Sequence, residues 1–279
     1  MKKLLTIMLA VLLAAAMTFA LTGCSVRELH IGQVEVNTGA GTAWITPARG
    51  VDKFDIPAAD FSAGADGSVT YTGTAYRALQ GIDVSTFQQD IDWQRVAASG
   101  VQFAILRAGY RGYTEGSIQE DSYFEQNLAG AIDAGLDVGV YFFSQAINEA
   151  EAVEEAQFCM DLLQDYSITY PIVFDWEPYD SSLHPRTEGL SDEMLTKCAV
   201  AFCQAVEANG YDSMVYSNLT YFYLHYDLSK LVDFPLWLAQ YNKTPTFYYH
   251  FDMWQYSSTG KVPGIEGNVD LNIQMIPKT

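Results

Sequence analysis

The chain has 279 residues, 49% of them hydrophobic and 14% aromatic, with 15 Lys and Arg against 34 Asp and Glu for a formal charge of −19. That apolar share is enough for one large core or two smaller domains. The acidic balance excludes a nucleic-acid binder, which needs a basic footprint, and any membrane attachment must be covalent or hydrophobic rather than electrostatic.

At the N-terminus, Lys2 and Lys3 precede a charge-free run, Leu4 to Leu21, rich in Leu and Ala. A short basic region before an apolar run predicts a secretory leader, although the run approaches the length of a single transmembrane anchor. It ends in Leu21-Thr22-Gly23-Cys24, which resembles the bacterial lipoprotein box. The resemblance implies that residues 1–23 are a lipoprotein signal peptide and that Cys24 carries a lipid, anchoring an exported chain to the membrane. The other cysteines, Cys159, Cys198 and Cys203, lie in helix-like apolar segments. They are read as buried small hydrophobes, while their odd number also permits one disulfide and a free thiol. No Cys/His spacing suggests zinc.

Residues 24–80 are punctuated by Gly39, Gly41, Gly64, Gly67 and Gly73 between short β-like runs such as Ser68-Val69-Thr70-Tyr71. A spacer with some β structure is expected there. Either it is a flexible tether, or it adds a strand or rim to the domain that follows, since Tyr71, Tyr76 and Leu79 are apolar enough to pack.

From Gly81 the pattern changes. Apolar runs at 81–85, 103–109, 138–144, 172–177 and 214–217 alternate with amphipathic stretches near 92–99, 120–134, 148–164 and 191–209. Asp92 and Ser191 stand at helix starts, and Gly100, Gly135 and Gly210 where helices should stop. Strand–helix–strand repetition implies parallel strands with right-handed crossovers. Three further strand-like runs, 236–241, 253–257 and 269–274, follow with connections too short for full helices. The predicted fold class is α/β: an irregular TIM-like barrel over residues 81–279, with three final strands that carry few helices. Function in such barrels gathers at the C-terminal ends of the strands.

The strongest chemical signal is Ile172-Val173-Phe174-Asp175-Trp176-Glu177-Pro178, a hydrophobic strand that ends in two carboxylates. Alternation puts Asp175 and Glu177 on one side of the strand, roughly 6.5 Å apart at the backbone. Like charges that close raise one pKa, as a general acid requires, and paired carboxylates are the working parts of glycoside hydrolysis. Asp83 sits inside the first strand and Asp270 at the start of the last. The two strands are neighbours in a closed barrel, so these acids can converge on the pair. Tyr110, Tyr141, Trp176, Tyr216, Gln240, Trp254 and Gln255 fall at or near strand ends and are candidate sugar contacts. Alternate strand positions face the helices, so about half of such residues should be core instead.

Read in order, Gly81-Ile82-Asp83-Val84-Ser85, Phe87-Gln88, Ile91-Asp92-Trp93, the segments 103–109 and 138–143, Asp175-Trp176-Glu177, the segment 235–241, Trp254-Gln255-Tyr256 and Asp270-Leu271-Asn272 resemble glycoside hydrolase family 25, the Chalaropsis-type lysozymes or N-acetylmuramidases. The resemblance covers residues 81 to about 276. It implies five βα units followed by three strands, and hydrolysis of the β-1,4 bond between N-acetylmuramic acid and N-acetylglucosamine in peptidoglycan. It also implies Glu177 as proton donor, Asp175 as second catalytic carboxylate and Asp83 and Asp270 as supporting acids of the catalytic cleft. No cofactor, no metal and a monomer are expected, with a cell-wall glycan strand as partner. Phe142 and Phe143 stand where family members often carry His or Tyr. Two other functions compete: a non-catalytic peptidoglycan-binding lipoprotein, and a chitinase-like N-acetylhexosamine hydrolase. Against the second, Ile172, Val173 and Phe174 occupy the places where a chitinase-like strand carries further aspartates.

Overall fold

The computed structural model describes residues 30–278 apart from Asp66 and Asp180. The leader and Cys24 lie outside the described residues. Two hairpins come first, β1 (Val34–Asn37) with β2 (Thr42–Ile45), and β3 (Phe61–Ala63) with β4 (Val69–Tyr71).

The barrel opens with β5 (Tyr76–Val84), which starts at Tyr76 rather than Gly81, and continues with β6 (Phe103–Arg111). A short strand, β7 (Ile118–Glu120), folds back on β6. There follow β8 (Asp137–Ser144), β9 (Ile172–Trp176), β10 (Ser213–Asn218), β11 (Leu236–Ala239), β12 (Met253–Gly260) and β13 (Val269–Pro277). Eight strands close in the order β5-β6-β8-β9-β10-β11-β12-β13 and back to β5. All neighbours are parallel except β13, which runs antiparallel to both β12 and β5. Helices Trp93–Ala98, Phe124–Asp133, Glu149–Leu162, Asp192–Ala208 and Leu219–Leu224 follow the first five barrel strands. The last three strands have no α-helix between them, so the barrel has the five-plus-three architecture that the sequence pattern implies.

The start and stop signals act as expected. Asp92 accepts a hydrogen bond from the Arg95 amide and Ser191 one from the Met194 amide, each satisfying a free N–H of a first turn. Gly100, Gly135 and Gly210 adopt positive φ just past the helix ends, where a side chain would be strained. Cys159, Cys198 and Cys203 are buried and unpaired.

Alternation along the strands divides the barrel into two cores. Phe174, Trp176, Val215 and Trp254 face the helices and outer segments, while Leu79, Phe103, Val173, Met214 and Trp237 fill the interior. Gly81 belongs to the inner layer, where a Cβ would lie 2.3 Å from the Phe103 ring. That interior plug closes the barrel floor and leaves the mouth at the strands' C-terminal ends open.

The chain ahead of the barrel packs on its side. Ile56, Phe61 and Val69 belong to the main core. Phe54 stacks on Phe251 at 4.6 Å and Phe61 meets Trp254 edge-on at 5.7 Å. Backbone bonds from Phe54 to Tyr248 and from His250 to Asp52 stitch the two together.

Candidate active site

Beyond Val173, the inward positions of β9 and the residue after it are Asp175 and Glu177. On the neighbouring strands Phe143 and Tyr216 are in register with Asp175. Across the mouth, Asp83 of β5 and Asp270 of β13 are directly paired in the antiparallel ladder. The four acids, Tyr141, Tyr216, Gln255 and Arg107 line one cleft of about 230 Å³.

Their environments differ. Asp83 is buried, and its Oδ2 accepts two amide hydrogen bonds, from Asn272 Nδ2 at 2.7 Å and Gln255 Nε2 at 2.8 Å. Both amides are oriented by donors on their carbonyl side. Trp237 Nε1 donates to Asn272 Oδ1, and the Tyr216 and Tyr241 hydroxyls donate to Gln255 Oε1. With their oxygens occupied, the amides can offer Asp83 only N–H groups, which favours its ionised form. Burial nevertheless outweighs those two bonds and lifts Asp83 to about 6.

Asp175 is also buried, and its Oδ1 has no hydrogen-bond partner. Burial, then the charges of Glu177 and Asp83, push its carboxyl well above the usual carboxylate range against the pull of Arg107. Glu177 is half-buried at the cleft edge, and burial followed by the Asp83 charge raises its pKa. Asp270 is raised to about 8 by burial and by Asp83 and Glu177. Acids in so small a mouth cannot all be charged together, so protons and negative charge are shared within one site.

Among the proposed sugar contacts, Tyr141, Tyr216 and Gln255 line the cleft. Trp176 and Trp254 do not, which corrects their assignment. Each sits one step out of phase with an inward residue, Asp175 or Gln255, so its ring faces the other way. Trp176 packs beside Tyr221, and Trp254 is fully buried with its indole N–H donating to the Gln240 carbonyl. Gln240 has its side chain clipped to Thr246 and lies in an adjoining groove. Tyr110 stands outside the cleft, its ring 5.5 Å from the Arg107 guanidinium.

Arg107 and Asn272 were not among the expected site residues. Arg107 lines the cleft and is held by Asp121 at 2.7 Å, with its guanidinium over the Phe87 ring. Its signal was present: a cation inside the hydrophobic run 103–109, in period-two phase with Phe103 and Ile105. Asn272 carried a weaker signal, an uncharged side chain two positions beyond Asp270 on the same face of β13.

Comparison with known proteins adds to this geometry. The sequence profile of Glycosyl hydrolases family 25 matches residues 82–265. The Autolytic lysozyme of Clostridium acetobutylicum is 29% identical over 195 residues, 70% of this chain and 55% of that protein. The spore cortex lytic enzyme SleM of Clostridium perfringens has a solved structure that matches with TM-score 0.60 and 26% identity, covering 71% of this chain and 67% of that one. The modular autolysin LytC of Streptococcus pneumoniae, solved with a synthetic peptidoglycan ligand, matches with TM-score 0.60 over 86% of this chain and 60% of its own. At 22% identity that last likeness shows the fold alone. The chain thus spans between about half and two thirds of these proteins' lengths.

Proposed function

The chain belongs to glycosyl hydrolases family 25, and from that premise we propose that it is a lysozyme-type muramidase. The proposed reaction is hydrolysis of the β-1,4 bond between N-acetylmuramic acid and N-acetylglucosamine in peptidoglycan. The observation that carries this reading is the convergence of Glu177, Asp175, Asp83 and Asp270 at one barrel mouth in unlike surroundings.

In this reading Glu177 gives its proton to the glycosidic oxygen. Its raised pKa keeps the proton in place to higher pH than an ordinary carboxyl would, and it is the half-buried member of the Asp175/Glu177 pair, reachable by a bound sugar. As the leaving group departs, positive charge builds on the sugar ring. Asp83, held by two amides, supplies fixed negative charge nearby, and such preorganised electrostatics are the largest part of many enzymes' rate enhancement. Asp175 stabilises that charge or orients the substrate's acetamido group. Tyr141 and Tyr216 present ring faces to the C–H faces of the sugars.

Purified peptidoglycan tests the reaction. Wild type should release soluble fragments and new reducing ends, and Glu177→Gln should lose ~10² to 10⁴ in rate with an unchanged circular dichroism spectrum. Near-normal turnover by Glu177→Gln would remove Glu177 from its role. A folded wild type that binds wall without cutting it would make the chain a binding protein. We also propose that the chain acts outside the cell, held by lipid on Cys24. Cys24→Ala should leave the membrane fraction, and an unmodified Cys24 in mature wild type would refute the anchor.

A further inference from the structure

The hairpin β1–β2 precedes the segment that the family profile matches, residues 82–265, yet it reaches the catalytic mouth. Its turn, Asn37 to Gly39, lines a groove of about 540 Å³ whose other walls include Asn218, Thr220 and Asn242. That groove shares Glu177, Tyr216 and Tyr241 with the catalytic cleft, so the two are continuous.

The hairpin is fixed in this position. Thr38 is 3% exposed, and its carbonyl accepts a 2.7 Å hydrogen bond from the Thr220 hydroxyl on the helix after β10. The turn is closed by the Thr38 amide and hydroxyl, which both bond the Gly41 carbonyl. Gly39 has φ +86° and lies against Leu219 and Thr220, a conformation that other residues rarely adopt. The chain's own N-terminal segment therefore walls one side of the groove.

The lining is amide and hydroxyl rather than ionic, with Glu177 its only charged residue. Asn37 Oδ1 accepts from the Gly39 amide and Asn218 Oδ1 from the Tyr221 amide. Their oxygens are thus engaged, and their NH₂ groups remain as donors for a hydroxyl or an acetamido carbonyl. Tyr241 is 56% exposed with its hydroxyl tied to Gln255, which holds the ring beside the groove. Uncharged donors around an exposed ring suit a sugar better than a charged peptide.

We infer that the β1–β2 hairpin completes a further saccharide-binding subsite, which carries the glycan strand past Glu177 over Tyr241 and against Asn37. This rests on the reading of the cleft as a glycan site. Binding energy from sugars away from the scissile bond would be drawn on at this subsite.

Titration calorimetry with peptide-free glycan strands tests it, using the full-length chain in detergent with Glu177→Gln to prevent turnover. Adding Asn37→Trp, which fills the groove from the hairpin side, should weaken binding at least fivefold. Asn37→Ala, which removes only the amide, should weaken it two- to threefold and serves if the Trp variant does not fold. Affinities within twofold of the parent in a folded Asn37→Trp protein would overturn the subsite. So would a loss seen only when stem peptides remain on the strands, since the groove would then hold peptide. Absence of strand binding by the Glu177→Gln parent would overturn it as well. Turnover of whole peptidoglycan by wild type tests the reaction separately, so the two readings can fail independently.

Discussion

Two carboxyls at the barrel mouth show how neighbours divide the work between chemically identical groups. Asp83 faces two amide donors, whereas Asp175 has one oxygen without a partner. The Asp83 charge is also one of the causes that raise Glu177, which yields a signed prediction. Asp83→Asn keeps an oxygen for the two amides but removes the charge, so the Glu177 proton should be lost at lower pH. The basic limb of the kcat/KM profile should therefore move toward acid, on top of any fall in rate. A basic limb that stays in place or moves to higher pH would contradict the coupling. At this scale the acids were legible because a carboxylate at the end of a hydrophobic strand is costly unless compensated. Arg107 was legible by the same logic. The amide of Asn272 differs, since an uncharged polar side chain within a strand is ordinary, and its bond to Asp83 joins residues 189 apart in sequence.

Elements between strands were legible where local signals are strong. The helix at 93–98 and the helix at 192–208 begin after the caps read from the sequence, and the β9 run ends within one residue of its expected bound. The short helix Leu219–Leu224 was missed, because its six residues span under two turns and its cap, Asn218, looks like the end of a strand. What holds the longer helices to the barrel is a matter of long-range contacts. Arg111 on β6 bonds Glu155 at 2.6 Å and Glu154 at 2.8 Å, and reaches the Glu151 and Gly116 carbonyls. Glu155 is fully buried and burial lifts it to about 7, even beside Arg111. Removing one partner of such a pair leaves a buried charge, at a cost of about 3–5 kcal/mol. Arg111→Ala is thus expected to lower the denaturation midpoint strongly, and adding Glu155→Gln should restore part of the loss. Unchanged stability of Arg111→Ala would show that the pair does not hold helix Glu149–Leu162 in place. The same helix is linked to the proposed proton donor. Glu151 grips Arg186, Arg186 donates to the Gln145 carbonyl, and Gln145 donates to the Glu177 carbonyl.

For the molecule as a whole, the open question from sequence was whether residues 24–80 tether the barrel or belong to it. Glycine spacing reports local turns and says little about what a short strand docks against, so both outcomes stayed open. We propose that residues 34–75 are part of the same folded unit, on the support of Ile56, Phe61 and Val69 in the main core. Phe61→Ala should then cost about 3–5 kcal/mol, the range for deleting a buried aromatic, read as a lower melting temperature. A melting temperature equal to wild type would return the segment to the role of a tether. The product that the assembled cleft makes identifies the bond it cuts. Peptidoglycan digested by the wild-type chain should be reduced with borohydride, hydrolysed in acid and analysed by mass spectrometry, with Glu177→Gln as the parallel sample. Muramicitol is expected from wild type and only background from Glu177→Gln. Glucosaminitol in its place, or equal muramicitol from both proteins, would contradict the proposed reaction.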